Sequence, residues 1–435
     1  MRLWFIFIGI VAYGLTGGQS LRTNENNEFA ENVFHLSEVM LHDVANPPAA
    51  GRFYAYCALA AYEVTIADQD DTNISSHFRT DPAFVLPKVF PGWSKSFCAQ
   101  YAMLEVGRKI MPSGYLLEEN QKKLINLYKQ KYKLVGKQLE ANKMFAINIA
   151  DQVVKFASDD GYQKLSTLTR YRPTSKEEGR WYPTPPEYMG AIEPEWKTIR
   201  TFFLDSANQF VQSAPAKFSQ EKESSFYRQM KEVYDTTKRL SSEQKEIANF
   251  WDCNPFAVSF SGHMSIGLKK ISPGGHWMGI TGIVCNQKRI SFDSTVLIHA
   301  MVALTLHDAF VSCWDEKYRS DRIRPETVIN KYLDPTWRPL LQTPPFPEYT
   351  SGHSVISTAS AEILTYYFGG NLPFVDTSEE FFGLNPRSFQ SFRQASGEAA
   401  ISRLYGGIHF RDAIEVGQQQ GRSIGNFILG KIKGN

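Results

Sequence analysis

"SFDSTVLIHAMVALTLHDAFVSCWDEKY", Ser291 to Tyr318, decides the fold. Apolar residues fall on nearly every side of a helix drawn through it, and such a helix has to be buried on all sides. The stretch therefore predicts a central core helix with other helices packed around it. Its neighbours in the chain supply them. Glu28 to Asp43 reads as an amphipathic helix, and "AAGRFYAYCALAAYEVTIA" (Ala49 to Ala67) follows Pro47-Pro48, a good helix start. From Glu118 to Gly161 apolar residues recur at three- and four-residue spacing, and Gly161 ends the pattern. "YTSGHSVISTASAEILTYYFGG" (Tyr349 to Gly370) carries Val355, Ile356, Ala359, Ile363 and Tyr367 on one face. "SFRQASGEAAISRLYGG" and "RDAIEVGQQQGRSIGNFILGKI" read as the last two helices. Runs with period-two alternation are short and isolated.

The fold class is therefore all-α, with helical bundles, two of them of four-helix type, and long irregular loops. Thr167 to Trp196, rich in proline and aromatics, breaks the helical pattern. A loop of this length separates two halves or lines a pocket. The expected organisation is a leader over residues 1–18, an N-terminal helical region over 25–200 and a C-terminal catalytic helical region over 201–435.

Bulk properties narrow the function. The 435 residues are 43% hydrophobic and 21% charged, which excludes a disordered chain. A net charge of +2 gives no sign of a nucleic-acid partner, so any anion site is expected to be local rather than a basic face. The five cysteines, Cys57, Cys98, Cys253, Cys285 and Cys313, are widely spaced with no C-x-x-C pair. This argues against a disulfide framework and against a zinc site, and leaves room for one or two bridges. At the N-terminus Arg2 precedes an apolar run from Leu3 to Leu15 and the small residues Thr16-Gly17-Gly18, the pattern of an export signal. No later stretch is apolar for long enough without interruption to span a bilayer, so the mature chain is expected to be exported and soluble.

Three blocks carry chemistry. In "CWDEKYRSDRIRPE", Lys317 and Arg324 stand seven residues apart, two helical turns, so both cations can reach one side. Arg324 precedes Pro325, which biases it out of the helix. In "FPEYTSGHS", Ser351 offers a hydroxyl, Gly352 an approachable N–H, and the helix start favours an anion beside His353. In "SRLYGGIHFRD", Arg403, Gly407 and His409 lie close together, and Asp412 follows His409 at a spacing that suits holding one imidazole nitrogen. Each block alone is ordinary: a charged helix end, a polar cap, a glycine corner. Together they supply two arginines, a lysine, a Ser-Gly turn and two histidines, the parts that hold a tetrahedral oxyanion. Glu31/His35, Glu38/His42, His276 and His307-Asp308 are further polar groups, read as surface pairs or local hydrogen bonding.

In this order the blocks resemble the vanadium-dependent haloperoxidases and the related acid phosphatases of the type-2 phosphatidic acid phosphatase superfamily. Lys317, Arg324 and Pro325 match its first motif, Ser351, Gly352 and His353 its second, and Ser402, Arg403, Gly407 and His409 its third. The resemblance runs from Asn249 onward. Thr350 stands where the pattern has proline, and Asp412 comes three residues after His409 where the pattern has four. The resemblance implies vanadate as cofactor, with His409 as its protein ligand and Lys317, Arg324, Arg403, the Ser351 hydroxyl and the Gly352 N–H around its oxygens. It implies His353 as the acid–base group, hydrogen peroxide as co-substrate and a halide as substrate, and leaves room for a small organic acceptor. No haem or flavin is expected, since vanadium keeps its oxidation state. In the phosphatases His409 would be the nucleophile. Trp314 and Phe346 look like the aromatic wall of a haloperoxidase pocket, and the exported bacterial enzymes point to iodide.

Overall fold

The computed structural model describes residues 25–69, 73–173, 177–185, 188–255, 258–261, 264–267 and 270–433. The leader expected over residues 1–18 lies outside the described residues. The fold is all-α, as the patterning predicts. The helices are α1 (Glu25–His42), α2 (Pro47–Thr65), α3 (Lys95–Ile110), α4 (Leu117–Lys131), α5 (Gly136–Ser158), α6 (Ser225–Lys238) and α7 (Ser242–Phe250). They continue with α8 (Pro273–Lys288), α9 (Phe292–Ser320), α10 (Pro325–Tyr332), α11 (Gly352–Phe368), α12 (Phe392–Tyr405) and α13 (Arg411–Lys433). Two antiparallel hairpins interrupt them: β1 (Val258–Ser261) with β2 (Met264–Gly267), and β3 (Phe374–Asp376) with β4 (Arg387–Phe389).

α9 is the axis. Its 29 residues span roughly 44 Å at 1.5 Å per residue. Ser291 caps its start by accepting from Ser294 N–H, and Asp321 ends it in the left-handed region. On one side α9 packs against α2, which packs on α3 and through it on α5. On the other it meets α11, the centre of a group with α12 and α13. By length and composition α9 could cross a membrane, but 94% of its most apolar window is buried inside the protein, so it is the core helix of the fold. α13 lies close on α11 because glycines face the contact once per turn: a Cβ at Gly421 would stand 2.2 Å from the Val355 carbonyl oxygen. All five cysteines are free and buried, so no bridge forms.

Two local readings change. The helical pattern between Glu118 and Gly161 is two helices, because the chain turns through Lys133 (φ 57°) after α4 and enters α5 at Gly136 with φ 55°. Lys317 and Arg324 do not share a helix face, since α9 stops at Ser320. Arg324 is instead the N-cap residue of α10, extended at φ −82°, ψ 152°, as a residue before proline should be. The irregular segment after residue 167 crosses the end of α9. Trp181 N–H donates to the Asp321 carbonyl (2.8 Å), and the Ile192 carbonyl accepts from Trp314 Nε1 (3.2 Å) and Tyr318 OH (2.5 Å).

Candidate active site

Three helix ends meet beside α9. Lys317 comes from its last turn, Ser351 to His353 from the start of α11, and Arg403 to His409 from the corner between α12 and α13. Gly407 turns that corner at φ +77°, where a Cβ would also press on Pro339 and Thr237 at 3.1 Å. The cavity between them is lined by Gly352, His353, Arg403 and His409, with Trp314 and Phe346 on the apolar side. Its volume is about 50 Å³, space for one small oxyanion or roughly four waters. Lys317, Arg324 and Ser351 stand directly behind this lining.

His409 is fixed from both ends. Its Nδ1 lies 2.8 Å from Glu348 Oε1, which also accepts from Phe410 N–H at 2.9 Å. A carboxylate only accepts, so Nδ1 carries the proton and Nε2 keeps its lone pair. Arg324 NH1 donates toward that nitrogen at 3.2 Å, while its other donors reach the carbonyls of Phe346, Ile408 and Pro347. Burial above all, then the charges of Arg324, Lys317 and Arg403, hold the His409 pKa well below its ordinary value. The imidazole is neutral and able to ligate.

The cations are held by backbone oxygens. Lys317 Nζ donates to the carbonyls of Pro347 (3.2 Å), Glu348 (3.1 Å) and Thr350 (2.5 Å), and burial lowers its pKa to about 7. Arg403 donates to Ser402 Oγ (2.9 Å) and to the Trp251 carbonyl (2.6 Å). Burial lowers the pKa of Arg324 to about 10 and also depresses that of Arg403. Phe346 lies between Lys317 Nζ (5.1 Å) and the Arg324 guanidinium (5.0 Å), so its ring face meets two cations. Ser351 caps α11 through Ser354 N–H. The buried Nε2 of His353 has no hydrogen-bond partner among the described residues. Desolvation, then the charges of Arg403, His409 and His276, push its pKa far down.

Asp412 does not orient His409. His409 precedes α13, so helical spacing does not bring the two together. Asp412 grips both NH groups of Arg322 and accepts from Ala216 N–H and Gln229. Arg322 in turn donates from Nε to Glu348 Oε2 (2.6 Å). Asp412 is thus joined to His409 only indirectly, by way of Arg322 and Glu348. Glu348 is the residue that sequence reasoning missed. Its only signal was its place three residues before Ser351, inside "FPEYTSGH". His307 and Asp308 hold the turn at residues 200–204: His307 pairs with the Arg200 carbonyl (2.9 Å), and Asp308 accepts from Phe202, Phe203 and Leu204 N–H. His35 pairs with Glu38 on the surface (2.5 Å).

Four of the buried histidines set an acid limit; His276, held between Asp376 and Glu379, shifts the other way. Burial lowers His299 and His307 to about 4, and His353 and His409 are also depressed. Each stays neutral in the folded chain and takes up a proton when unfolded below pH ~6.5, so the unfolded state binds more protons and stability falls in acid. His299 and His307 each lower stability by about 2 kcal/mol between pH 6.5 and pH 5. Buried acids with raised pKa values, Glu63 and Asp308 among them, act in the opposite sense, so the test is differential: the urea midpoint of anion-free His307→Asn should fall less between pH 6.5 and pH 5 than that of the wild type, and equal falls would contradict a neutral His307.

Residues 297–434 match the family described as the VCPO second helical-bundle domain. No curated protein matches the chain. The chain is similar to a solved structure described as the first bacterial vanadium-dependent iodoperoxidase, with 41% identity over 93% of this chain and 96% of that one, at a TM-score of 0.86. The fold also matches holo- and apo-type bacterial vanadium-dependent chloroperoxidases, 13% and 14% identical, at TM-scores of 0.68 and 0.67. Each match covers 89% of this chain, and 93% and 94% of the respective chloroperoxidase chains. Identity of this order over nearly the full length of both chains goes beyond a shared fold: the chain is an enzyme and belongs to the vanadium-dependent haloperoxidases.

Proposed function

We propose that the chain binds vanadate in this cavity and uses hydrogen peroxide to oxidise iodide to hypoiodous acid. The observation that carries the reading is the His409 Nε2 lone pair, neutral by burial and presented among Lys317, Arg324 and Arg403. The donor set fits the anion. Three cations offset its charge, the α11 start offers N–H groups, and the unpartnered His353 Nε2 gains a partner. When bound, vanadate would supply a Lewis-acidic centre that activates peroxide toward two-electron attack by a halide.

His409 gives the one protein ligand, and Glu348 keeps its proton on Nδ1. The two arginines and Lys317 would hold the anion oxygens. His353 accepts and returns a proton at Nε2. Trp314 and Phe346 keep bulk water from the reacting side, which favours a weakly hydrated halide. Iodide is supported by the 41% identical relative, which is described as an iodoperoxidase. The phosphatase alternative shares the cradle, but the similar structures described above are haloperoxidases. Export of the chain, with residues 1–18 removed, belongs to the same proposal. N-terminal sequencing of the mature protein checks it.

The deciding assay uses purified chain freed of vanadate, with and without vanadate added back. Peroxide-dependent oxidation of iodide, bromide and chloride is measured beside phosphate-ester hydrolysis. Iodide oxidation should require vanadate and exceed that of the other halides. Steady phosphate release with no halide oxidation at any pH would overturn the reading.

A further inference from the structure

Against the cavity wall, which Cys253 lines, lies a second polar cluster. Cys253 follows α7, His276 sits in the first turn of α8, and Glu379 follows β3. All three are buried. Cys253 Sγ is 3.4 Å from His276 Nδ1, and Glu379 Oε1 is 3.2 Å from the same nitrogen. One ligand atom from each lies within 4.8 Å of the others.

Two features point to a cation rather than to simple packing. Neither carboxylate oxygen of Glu379, a residue 1% exposed, has a hydrogen bond among the described residues; Oε1 meets the His276 ring as an ion pair at 3.2 Å, and Oε2 faces no such group. A buried carboxylate without donors is costly unless a positive charge meets it. On the far side of the ring, His276 Nε2 lies 2.7 Å from Asp376 Oδ2, and Asp376 Oδ1 accepts from Ser378 N–H (3.0 Å) and Oγ (2.7 Å). Asp376 takes the Nε2 hydrogen bond, which leaves Nδ1 facing Cys253 and Glu379; with no ion bound that nitrogen also carries a proton, and a metal ion would take the proton's place. This is the carboxylate–histidine arrangement that supports metal ligation. Trp251 stacks on the imidazole at 4.4 Å and holds its plane.

We propose that Cys253, His276 and Glu379 bind one zinc ion in the wall of the anion cavity, where it clips three chain segments together. Thiolate, imidazole and carboxylate are zinc donors, and two anionic ligands balance the ion's charge. Bonds of about 2.0–2.3 Å at tetrahedral angles set the ligand atoms about 3.3–3.6 Å apart, close to the spacings found. A water completes the fourth position. Wide cysteine spacing argued against a zinc site in the sequence, but that argument covers ligands supplied by one local motif. Here the fold gathers them from separate segments. The consequence is positional. Cys253 and its neighbours Asp252 and Asn254 line the anion cavity, and the Trp251 carbonyl holds Arg403. The clip therefore steadies the wall against which Arg403 rests.

The test uses the full chain with no vanadate present, so its outcome does not depend on the anion site. Elemental analysis after purification in zinc-containing medium should give one zinc per chain. Cobalt(II) added to the chelator-stripped protein should give a tetrahedral visible spectrum with a thiolate charge-transfer band. In Cys253→Ser and Glu379→Gln, checked by circular dichroism for folding, zinc content should fall at least ten-fold. Zinc in the wild-type chain no higher than in Cys253→Ser, or a cobalt spectrum without the thiolate band, would overturn the proposal. The wild-type measurements decide the matter even where a variant does not fold.

Discussion

His409→Ala abolishes halide oxidation and lowers vanadate affinity at least a thousand-fold, about 4 kcal/mol. The other contacts to the anion are hydrogen bonds and charges, and phosphate-like oxyanions satisfy those equally well. Only the imidazole lone pair distinguishes a ligated centre from a merely cradled anion. The fold should tolerate the change. Glu348 keeps Phe410 N–H and Arg322, and Arg324 NH1 keeps the Ile408 carbonyl. The measurement is thermal or urea stability with and without vanadate, beside iodide turnover. At a hundred times the dissociation constant a bound ligand stabilises the native state by about 2.7 kcal/mol. Vanadate should stabilise the wild-type chain by that order and leave His409→Ala unmoved. Equal protection of both would mean that His409 is not the ligand.

The sequence made the elements and the cradle legible, and the structure shows why some partners were not. α9 was legible because its apolar residues leave no face for solvent. Arg324 was legible as a residue outside a helix because proline follows it. Lys317, Arg403 and His353 were found as residue types at known spacings. Their converging on one cavity depends on where three helix ends meet, which no local pattern encodes. Glu348 was hidden for the same reason. Between Pro347 and Tyr349 it looks like an acid in a polar loop, and it becomes a histidine partner only because that loop folds against a residue 61 positions away. Asp412 was over-read in the opposite sense. Its distance from His409 suits a helix, but the helix begins after His409. Cys253, His276 and Glu379 lay in three unrelated stretches, so spacing rules for zinc motifs could not join them.

Glu348→Gln should lower vanadate affinity ten- to a hundred-fold and destabilise the fold by about 3 kcal/mol, and Asp412→Asn should do much less. The glutamate serves two sides at once. One oxygen accepts hydrogen bonds from His409 Nδ1 and Phe410 N–H, and the other accepts one from Arg322. An amide has only one oxygen. If it faces Arg322, the amide NH₂ meets His409, pushes the ring proton to Nε2 and removes the lone pair that would ligate. If it faces His409, the NH₂ meets the Arg322 guanidinium, and a buried cation loses one of its two carboxylates. Either arrangement costs, and the first costs affinity directly. Asp412→Asn weakens only the Arg322 end of the chain, at a residue partly open to solvent, and leaves Glu348 on the imidazole. Its effect on vanadate affinity should stay under ten-fold. Affinity by equilibrium dialysis and stability by urea midpoint rank the two variants. If Asp412→Asn proved the more damaging to affinity, Asp412 and not Glu348 would be the group that sets the His409 tautomer.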